Sequence, residues 1–235
     1  MKANLRKYTK RSIRKFNLPK LNITVWLIIV NVAFFALAFP LILFNSDYSK
    51  YIALQPSYIL QGKYLWTFAT SMFMHGGIAH LLINMFVLFS LGGFCERVIG
   101  RKRFFWFYII SGLVAGIAFV LLSGFFGNTE LGAKIFGSPL IAGVGASGAI
   151  FAIAGLFVIL TPKLKFSIIF LPFFSLPAYV MIPLVLFATW LVSAGTGFPI
   201  GNTAHFGGFL AGLAYGLYLK KKYSRKVRLL NKYIN

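Results

Sequence analysis

Ser147 and His205 are of residue types that suit nucleophilic chemistry, and each stands near the start of an apolar stretch. A serine hydroxyl becomes an effective nucleophile when a histidine imidazole accepts its proton. Ser147 stands in a GASG segment, and His205 opens the small-residue stretch AHFGGFLAGLAYG (204–216). If two helices bring these residues together, the pair predicts hydrolysis through a serine nucleophile.

Two further polar residues, His80 and Asn84, are four positions apart and therefore share one face of a predicted helix. Ionisable and amide groups are costly inside a membrane span, which makes them candidates for function. A purely structural hydrogen-bonded pair is the alternative reading. His75 stands near the opposite face of the same helix. We expect it to tether the preceding loop by hydrogen bonds rather than to take part in chemistry.

The elements that carry these residues are predicted to be transmembrane helices. The chain is 59% hydrophobic and only 11% charged, against about 25% charged residues in a typical soluble domain. Backbone groups must find partners within the chain in lipid, so each apolar span is expected to be helical. The sequence predicts an all-α membrane protein with six spans, at residues 21–44, 75–95, 104–126, 144–161, 178–195 and 204–220.

Basic residues predict the orientation of the bundle. Of the 24 Lys and Arg residues, 21 fall in residues 1–20, in the 2–3 and 4–5 loops, or in residues 220–235. Only Lys50, Lys63 and Lys134 lie on the opposite side. Both termini are therefore predicted to face the cytoplasm. Because long apolar runs separate the basic residues, the net charge of +21 does not indicate nucleic-acid binding.

This orientation predicts that His80, Ser147 and His205 meet at one depth. The second, fourth and sixth spans all enter the membrane from the outer side, and these residues lie near those ends. Small residues on the fourth and sixth spans would allow close helix contact, namely Gly145, Gly148, Gly208 and Gly212. The three acidic residues are predicted to lie elsewhere, which favours a Ser–His dyad over a triad; they are Asp47, Glu96 and Glu130.

The remaining segments predict one core and no second domain. Residues 45–74 form a long, aromatic first loop that is expected to lie in the membrane interface. Residues 1–20 and 221–235 are expected to be basic cytoplasmic tails around a core of residues 21–220. No cofactor or metal is expected, because Cys95 is the single cysteine and His75 and His80, five apart, are poorly placed to chelate one ion.

Three segments together resemble the rhomboid intramembrane serine proteases. The GASG segment with the following AIFAIAG is similar to the Gly-x-Ser-Gly motif of the family's fourth helix. HGGIAHLLINMFVLFSLGGFCER (75–97) looks like its second helix, and residues 204–216 look like its sixth. The resemblance covers roughly residues 20–220 in order. It implies a six-helix rhomboid-like bundle that needs no cofactor and cleaves transmembrane proteins in or near their membrane span.

The resemblance also implies residue roles. Ser147 would attack the peptide carbonyl while His205 takes its proton. His80, Asn84 and the backbone N–H of Ser147 would line the oxyanion hole. Glu96 would be structural at the cytoplasmic end of the second helix.

Two positions depart from the family's common pattern. Trp66 is followed by Thr67, where many members have arginine, and this puts the lipid anchoring of the first loop in doubt. Phe151 stands where some members have a tyrosine against the catalytic histidine, and its ring can still stack on an imidazole.

Two other functions stay open at this point. A catalytically inactive relative that binds membrane clients would share the fold. A small proton-coupled transporter would use the intramembrane histidines, but it would need polar groups that continue to the cytoplasmic side. The third, fourth and fifth spans supply few beyond serine and threonine. The compact core and the lack of added targeting segments favour a prokaryotic plasma membrane as the location.

Overall fold

A computed structural model of the chain describes residues 21–168 and 171–234, so the predicted tail of residues 1–20 lies outside the described part. Helices dominate the described residues. In chain order they are α1 (Ile23–Phe44), a 3₁₀ turn (Ser46–Tyr51), α2 (Pro56–Ile59), α3 (Thr67–Thr70), α4 (Ile78–Val87), α5 (Gly93–Ile99), α6 (Arg101–Phe126), α7 (Glu130–Phe136), α8 (Ser147–Leu160), α9 (Ala178–Thr196), α10 (Asn202–Lys222) and α11 (Ser224–Ile234).

Four of the helical stretches in the described part are long and apolar enough to cross a membrane. They are α1, the continuous stretch α4–α5, α6 and α9, and α8 is a shorter apolar helix. Their outer faces are apolar: Leu37 is 75% exposed and Phe44 is 87% exposed. Helices with apolar residues on every side are expected where lipid replaces water as the solvent.

Two predicted helix starts are displaced by glycines. The second span begins at Ile78 rather than at residue 75, because the backbone at the preceding Gly77 is extended, with φ 164° and ψ 170°. It then continues through a π-helical turn (Leu88–Gly92) to Ile99, past the predicted end. The fourth span begins at Ser147 rather than at residue 144, because Gly145 has a φ of +128°, which no helix contains.

The centre of the bundle is the contact between α8 and α10. Most residues of α8 are buried. A Cβ atom added to Gly208 would collide with the carbonyl oxygen of Gly148, and one added to Gly212 would collide with that of Ala152. Because glycine has no Cβ, the two backbones can approach to this distance.

Two segments near the basic ends of the helices have structure that the sequence analysis did not predict. The apolar stretch before α9 forms an antiparallel hairpin of β1 (Lys165–Ile168) and β2 (Leu171–Pro177). The predicted basic C-terminal tail is helical: α10 runs to Lys222, and α11 follows. The Asn231 side chain on α11 donates to the Leu160 carbonyl at the end of α8, at 2.7 Å, so α11 is attached to the bundle.

Candidate active site

Ser147 is the first residue of α8, and the backbone before it is shaped by Gly145. The φ of +128° at Gly145 lies in a region that residues with a Cβ rarely adopt. The Gly145 N–H donates to the Ser71 carbonyl at 2.9 Å, which attaches this bend to the end of the first loop. The bend leaves Ser147 half-buried at the start of the helix.

His205 lies in the first turn of α10 and is buried. The close contact along Gly208 and Gly212 brings its ring to the start of α8. The His205 Nε2 atom lies 2.8 Å from the Ser147 Oγ atom, within hydrogen-bond distance. The structure therefore brings together the two residues that sequence reasoning selected first.

The hydrogen bond has the polarity that a base requires if the His205 ring is protonated at Nδ1. Nε2 then accepts from the Ser147 hydroxyl. Nδ1 has no hydrogen-bond partner among the described residues. The chain's three carboxylates interact elsewhere, in the pairs Asp47–Lys50 and Glu130–Lys134 and, for Glu96, at the start of α1. The arrangement is a serine and a histidine with no acid behind them.

Phe151 fixes the orientation of the imidazole. It lies one turn after Ser147 on the same face of α8. Its ring stacks on that of His205 with centroids 4.5 Å apart and planes inclined by 27°. A flat apolar surface on one side of the imidazole restricts its rotation while the ring edge points to Ser147.

His80 and Asn84 lie on α4 beside the same bend. A Cβ atom built on Gly145 would be 3.1 Å from His80 Nε2 and 3.6 Å from Ser147 Oγ, so both groups border one point. His80 Nδ1 accepts from the Gly76 N–H at 3.3 Å, which leaves Nε2 as the protonated nitrogen. The Asn84 amide is buried and donates to the His80 carbonyl at 2.9 Å.

The role of His75 as a tether of the first loop stays a prediction. His75 is completely buried at the end of that loop. Its ring packs edge-on against His80 with centroids 5.1 Å apart. His75 supports the His80 ring by packing, and it does so from the loop before α4.

A third wall of the site comes from α6, which sequence reasoning did not identify. A Cβ atom added to Gly148 would lie 2.6 Å from the Ala115 Cβ, and one added to Gly207 would collide with Ala118. The available signal was the run of small residues in the third predicted span, around Gly112 and Gly116. These residues let α6 close the α8–α10 contact from the side.

The match to a known family covers this whole arrangement. The family model described as the Rhomboid domain matches residues 62–222, from the first loop to the end of α10. The chain belongs to the rhomboid family. Ser147, His205, His80 and Asn84 all fall inside the matched range.

Relatives from bacteria and plants agree with this assignment. The chain is 26% identical to Rhomboid protease GlpG of Haemophilus influenzae over 171 residues, which cover 73% of this chain and 78% of GlpG. It is 31% identical to RHOMBOID-like protein 4 of Arabidopsis thaliana over 161 residues, 68% of this chain and 36% of that protein. It is 31% identical to Rhomboid protease AarA of Providencia stuartii over 160 residues, 65% of this chain and 55% of AarA.

The chain thus spans about a third to a half of two of these rhomboid relatives and about three-quarters of the third. It is a membrane protein of a family that includes serine proteases. Its apolar helices agree with that class.

Of the two departures from the family pattern, Thr67 is buried at the start of α3 and its hydroxyl donates to the Tyr64 carbonyl at 2.8 Å. The neighbouring Trp66 is 55% exposed, and its indole N–H donates to the Tyr51 carbonyl. The first loop is therefore organised around its own aromatic residues, without an arginine after the tryptophan.

Proposed function

We propose that this rhomboid is an intramembrane serine endopeptidase that cleaves transmembrane proteins within or near their membrane span. The observation that carries the proposal is the 2.8 Å contact between Ser147 Oγ and His205 Nε2, formed by two helices far apart in sequence. A nucleophile and its base need this contact. The membership in a family with protease relatives supports the same reaction class.

In the proposed reaction, the Ser147 oxygen attacks the carbonyl carbon of the scissile peptide bond while its proton moves to His205 Nε2. The imidazolium then gives that proton to the leaving amine, and an acyl-enzyme ester remains on Ser147. Water attacks the ester, loses a proton to His205, and releases the new carboxyl group and the serine. His205 gains and returns one proton in each half of the cycle.

When Ser147 attacks, a negative charge develops on the oxygen of the substrate's carbonyl group, and hydrogen-bond donors must stabilise it. His80 Nε2–H, the Asn84 amide and the Ser147 backbone N–H are proposed to supply them. The Ser147 N–H is among the first N–H groups of α8, which lack partners within the helix. Loss of one such donor raises the barrier by about 2.7–4 kcal/mol in other serine proteases.

A six-span arrangement accounts for both the site depth and its access to water. We propose spans at α1, α4–α5, α6, α8, α9 and α10, with residues 45–74 in the outer interface. Residues 1–20 and 221–235 are proposed to be cytoplasmic, around a protease core of residues 21–220 in a prokaryotic plasma membrane. With 14 residues, α8 is about 21 Å long, so Ser147 would lie below the surface of a roughly 30 Å hydrocarbon layer.

That depth constrains the surroundings of Ser147. The non-helical backbone before α8 is tolerated at membrane depth only if protein encloses it or a water-filled cavity borders it. A hydrolase needs such a cavity in any case. A helical substrate would also have to unwind locally at the cleavage site, so we expect small or helix-breaking residues there.

The test uses the purified chain in liposomes with a transmembrane substrate. Ser147→Ala and His205→Ala should each reduce cleavage by about 10⁴-fold or more. Ser90→Ala is the matched control, because Ser90 is exposed and its hydroxyl only bonds the Phe86 carbonyl of its own helix. A serine-directed phosphonate should label the parent at Ser147. Cleavage by Ser147→Ala at the parental rate would exclude this mechanism, and a parent that neither cleaves nor reacts would point to the client-binding alternative.

A further inference from the structure

A cavity lies at the end of the bundle remote from Ser147 and His205. Its volume is about 700 Å³, within the range of about 300–1,000 Å³ that is usual for small-molecule sites. It lies where α5 ends, α6 begins, and α8 and α10 end, and α11 forms its outer wall. The proposed reaction makes no use of it.

The walls of the cavity are apolar. The apolar side chains come from four helices, α5, α8, α10 and α11, and include Phe94, Val98, Leu160, Leu219 and Leu230. Among them, Leu160 and Leu219 are buried and Leu230 is half-buried. Such a lining suits a hydrocarbon chain rather than a polar metabolite.

Three cations border the same cavity: Arg97, Arg103 and Lys226. All three are exposed, and none of them forms an ion pair with a carboxylate of the described chain. Arg97 donates to the Gly93 carbonyl within α5, and Arg103 at the start of α6 donates to the Ile99 carbonyl at the end of α5. Uncompensated positive charge at the rim of an apolar cavity is complementary to a molecule with an anionic head and an apolar tail.

Tyr223 orders two of these cations. The Arg103 Nη2 atom donates to the Tyr223 hydroxyl at 2.8 Å, and its guanidinium carbon lies 5.1 Å from the centre of the tyrosine ring. The Lys226 Nζ atom lies 5.8 Å from the same ring centre. A residue between α10 and α11 thus holds cations from two different helices at one rim.

We propose that this cavity binds an anionic phospholipid, with its phosphate among Arg97, Arg103 and Lys226 and one acyl chain along the apolar walls. The location fits this ligand, because the cavity lies at the basic ends of the apolar helices, where headgroups meet hydrocarbon. Basic pockets between helices on the cytoplasmic side attract anionic headgroups. The inference does not depend on proteolysis, and its test measures binding alone.

The experiment compares phosphatidylglycerol with phosphatidylcholine of identical acyl chains, added to the full chain in neutral detergent. Native mass spectrometry counts the lipid retained, and thermal unfolding reports stabilisation. The triple variant Arg97→Gln, Arg103→Gln, Lys226→Gln should bind phosphatidylglycerol about a hundredfold more weakly, given roughly 1 kcal/mol per basic residue. The matched control, Arg225→Gln, Arg228→Gln, Lys232→Gln, removes three charges from α11 that do not line the cavity and should bind like the parent.

A second variant tests the acyl chain without a change in charge. Leu230→Trp fills the cavity and should also weaken phosphatidylglycerol binding. If the triple variant without lipid unfolds at a lower temperature than the parent, the result for Leu230→Trp becomes the deciding test of the proposal. Equal losses in both triple variants, or equal binding of phosphatidylcholine, would overturn the proposal. The proposal would also be overturned if glycerol 3-phosphate or inorganic phosphate raised the unfolding temperature as much as phosphatidylglycerol does. The site would then take a free phosphate rather than a lipid.

Discussion

Glu96 and Thr24 join the end of the second span to the start of the first. The Glu96 Oε2 atom accepts both the backbone N–H and the hydroxyl of Thr24, each at 2.9 Å, and its Oε1 atom accepts the Ile23 N–H at 2.9 Å. The carboxylate thus pairs N–H groups that have no partner within α1, and its charge is favourable at that helix end. Glu96 is 5% exposed, so water cannot replace it.

Glu96→Gln should therefore destabilise the fold. The amide lacks the charge and can accept at only one of its two terminal atoms, so at least one buried N–H or hydroxyl loses its partner, at about 1–3 kcal/mol. The measurement is thermal unfolding in detergent. Glu130→Gln is the control, because its carboxylate is 86% exposed and pairs only with Lys134. Similar unfolding temperatures for both variants would contradict the role assigned to Glu96.

Gly212→Ala should push α8 and α10 apart. The new methyl group would collide with the Ala152 carbonyl oxygen, and rigid backbone cannot yield as a flexible side chain can. Overpacking of this kind destabilises by about 1–3 kcal/mol, and cleavage should fall further because the Ser147–His205 distance depends on this contact. Gly93→Ala is the control, since a methyl group there meets nothing within 4 Å. Parental activity in Gly212→Ala would show that the contact is not needed.

Gly145→Ala should abolish most cleavage with the fold retained. A methyl group there would lie 3.0 Å from the His80 ring and 3.6 Å from Ser147 Oγ, between the nucleophile and one of the proposed oxyanion donors. The φ of +128° is also unfavourable for alanine. Gly62→Ala separates these two effects, because Gly62 has a φ of +74° but no atom near its Cβ position. Equal activity losses in both variants would indicate backbone strain alone.

Phe151→Leu should lower kcat with little change in KM. Leucine fills the space but cannot stack on the His205 ring, and a stacked aromatic pair contributes about 0.5–1.5 kcal/mol beyond its burial. Cleavage should therefore fall about 2- to 10-fold, while Phe151→Tyr should keep the parental rate. Phe89→Leu, at a side chain that is 64% exposed, provides the control. An unchanged kcat in Phe151→Leu would remove the positioning role.

The predicted spans and the observed helices agree best where apolar runs are long and uninterrupted. The third span was predicted at 104–126, and α6 covers Arg101–Phe126; the fifth was predicted at 178–195, and α9 covers Ala178–Thr196. Helix starts next to glycines were less accurate, because hydropathy does not record the φ angle that Gly145 adopts. The hairpin before α9 was not predicted, since an apolar run broken by prolines does not reveal whether its two halves pair.

The sequence by itself determined which polar residues the apolar stretches carry, where the basic residues cluster along the chain, and the resemblance to rhomboids. These properties follow from residue type and order along the chain. Only the tertiary structure decided that the Ser147 hydroxyl and the His205 imidazole lie 2.8 Å apart, that α6 closes the site from the side, and that α11 completes a cavity with cations at its rim. Those relationships depend on the distance between helix backbones. Side-chain packing in three dimensions sets that distance, and the order of residues along the chain does not reveal it.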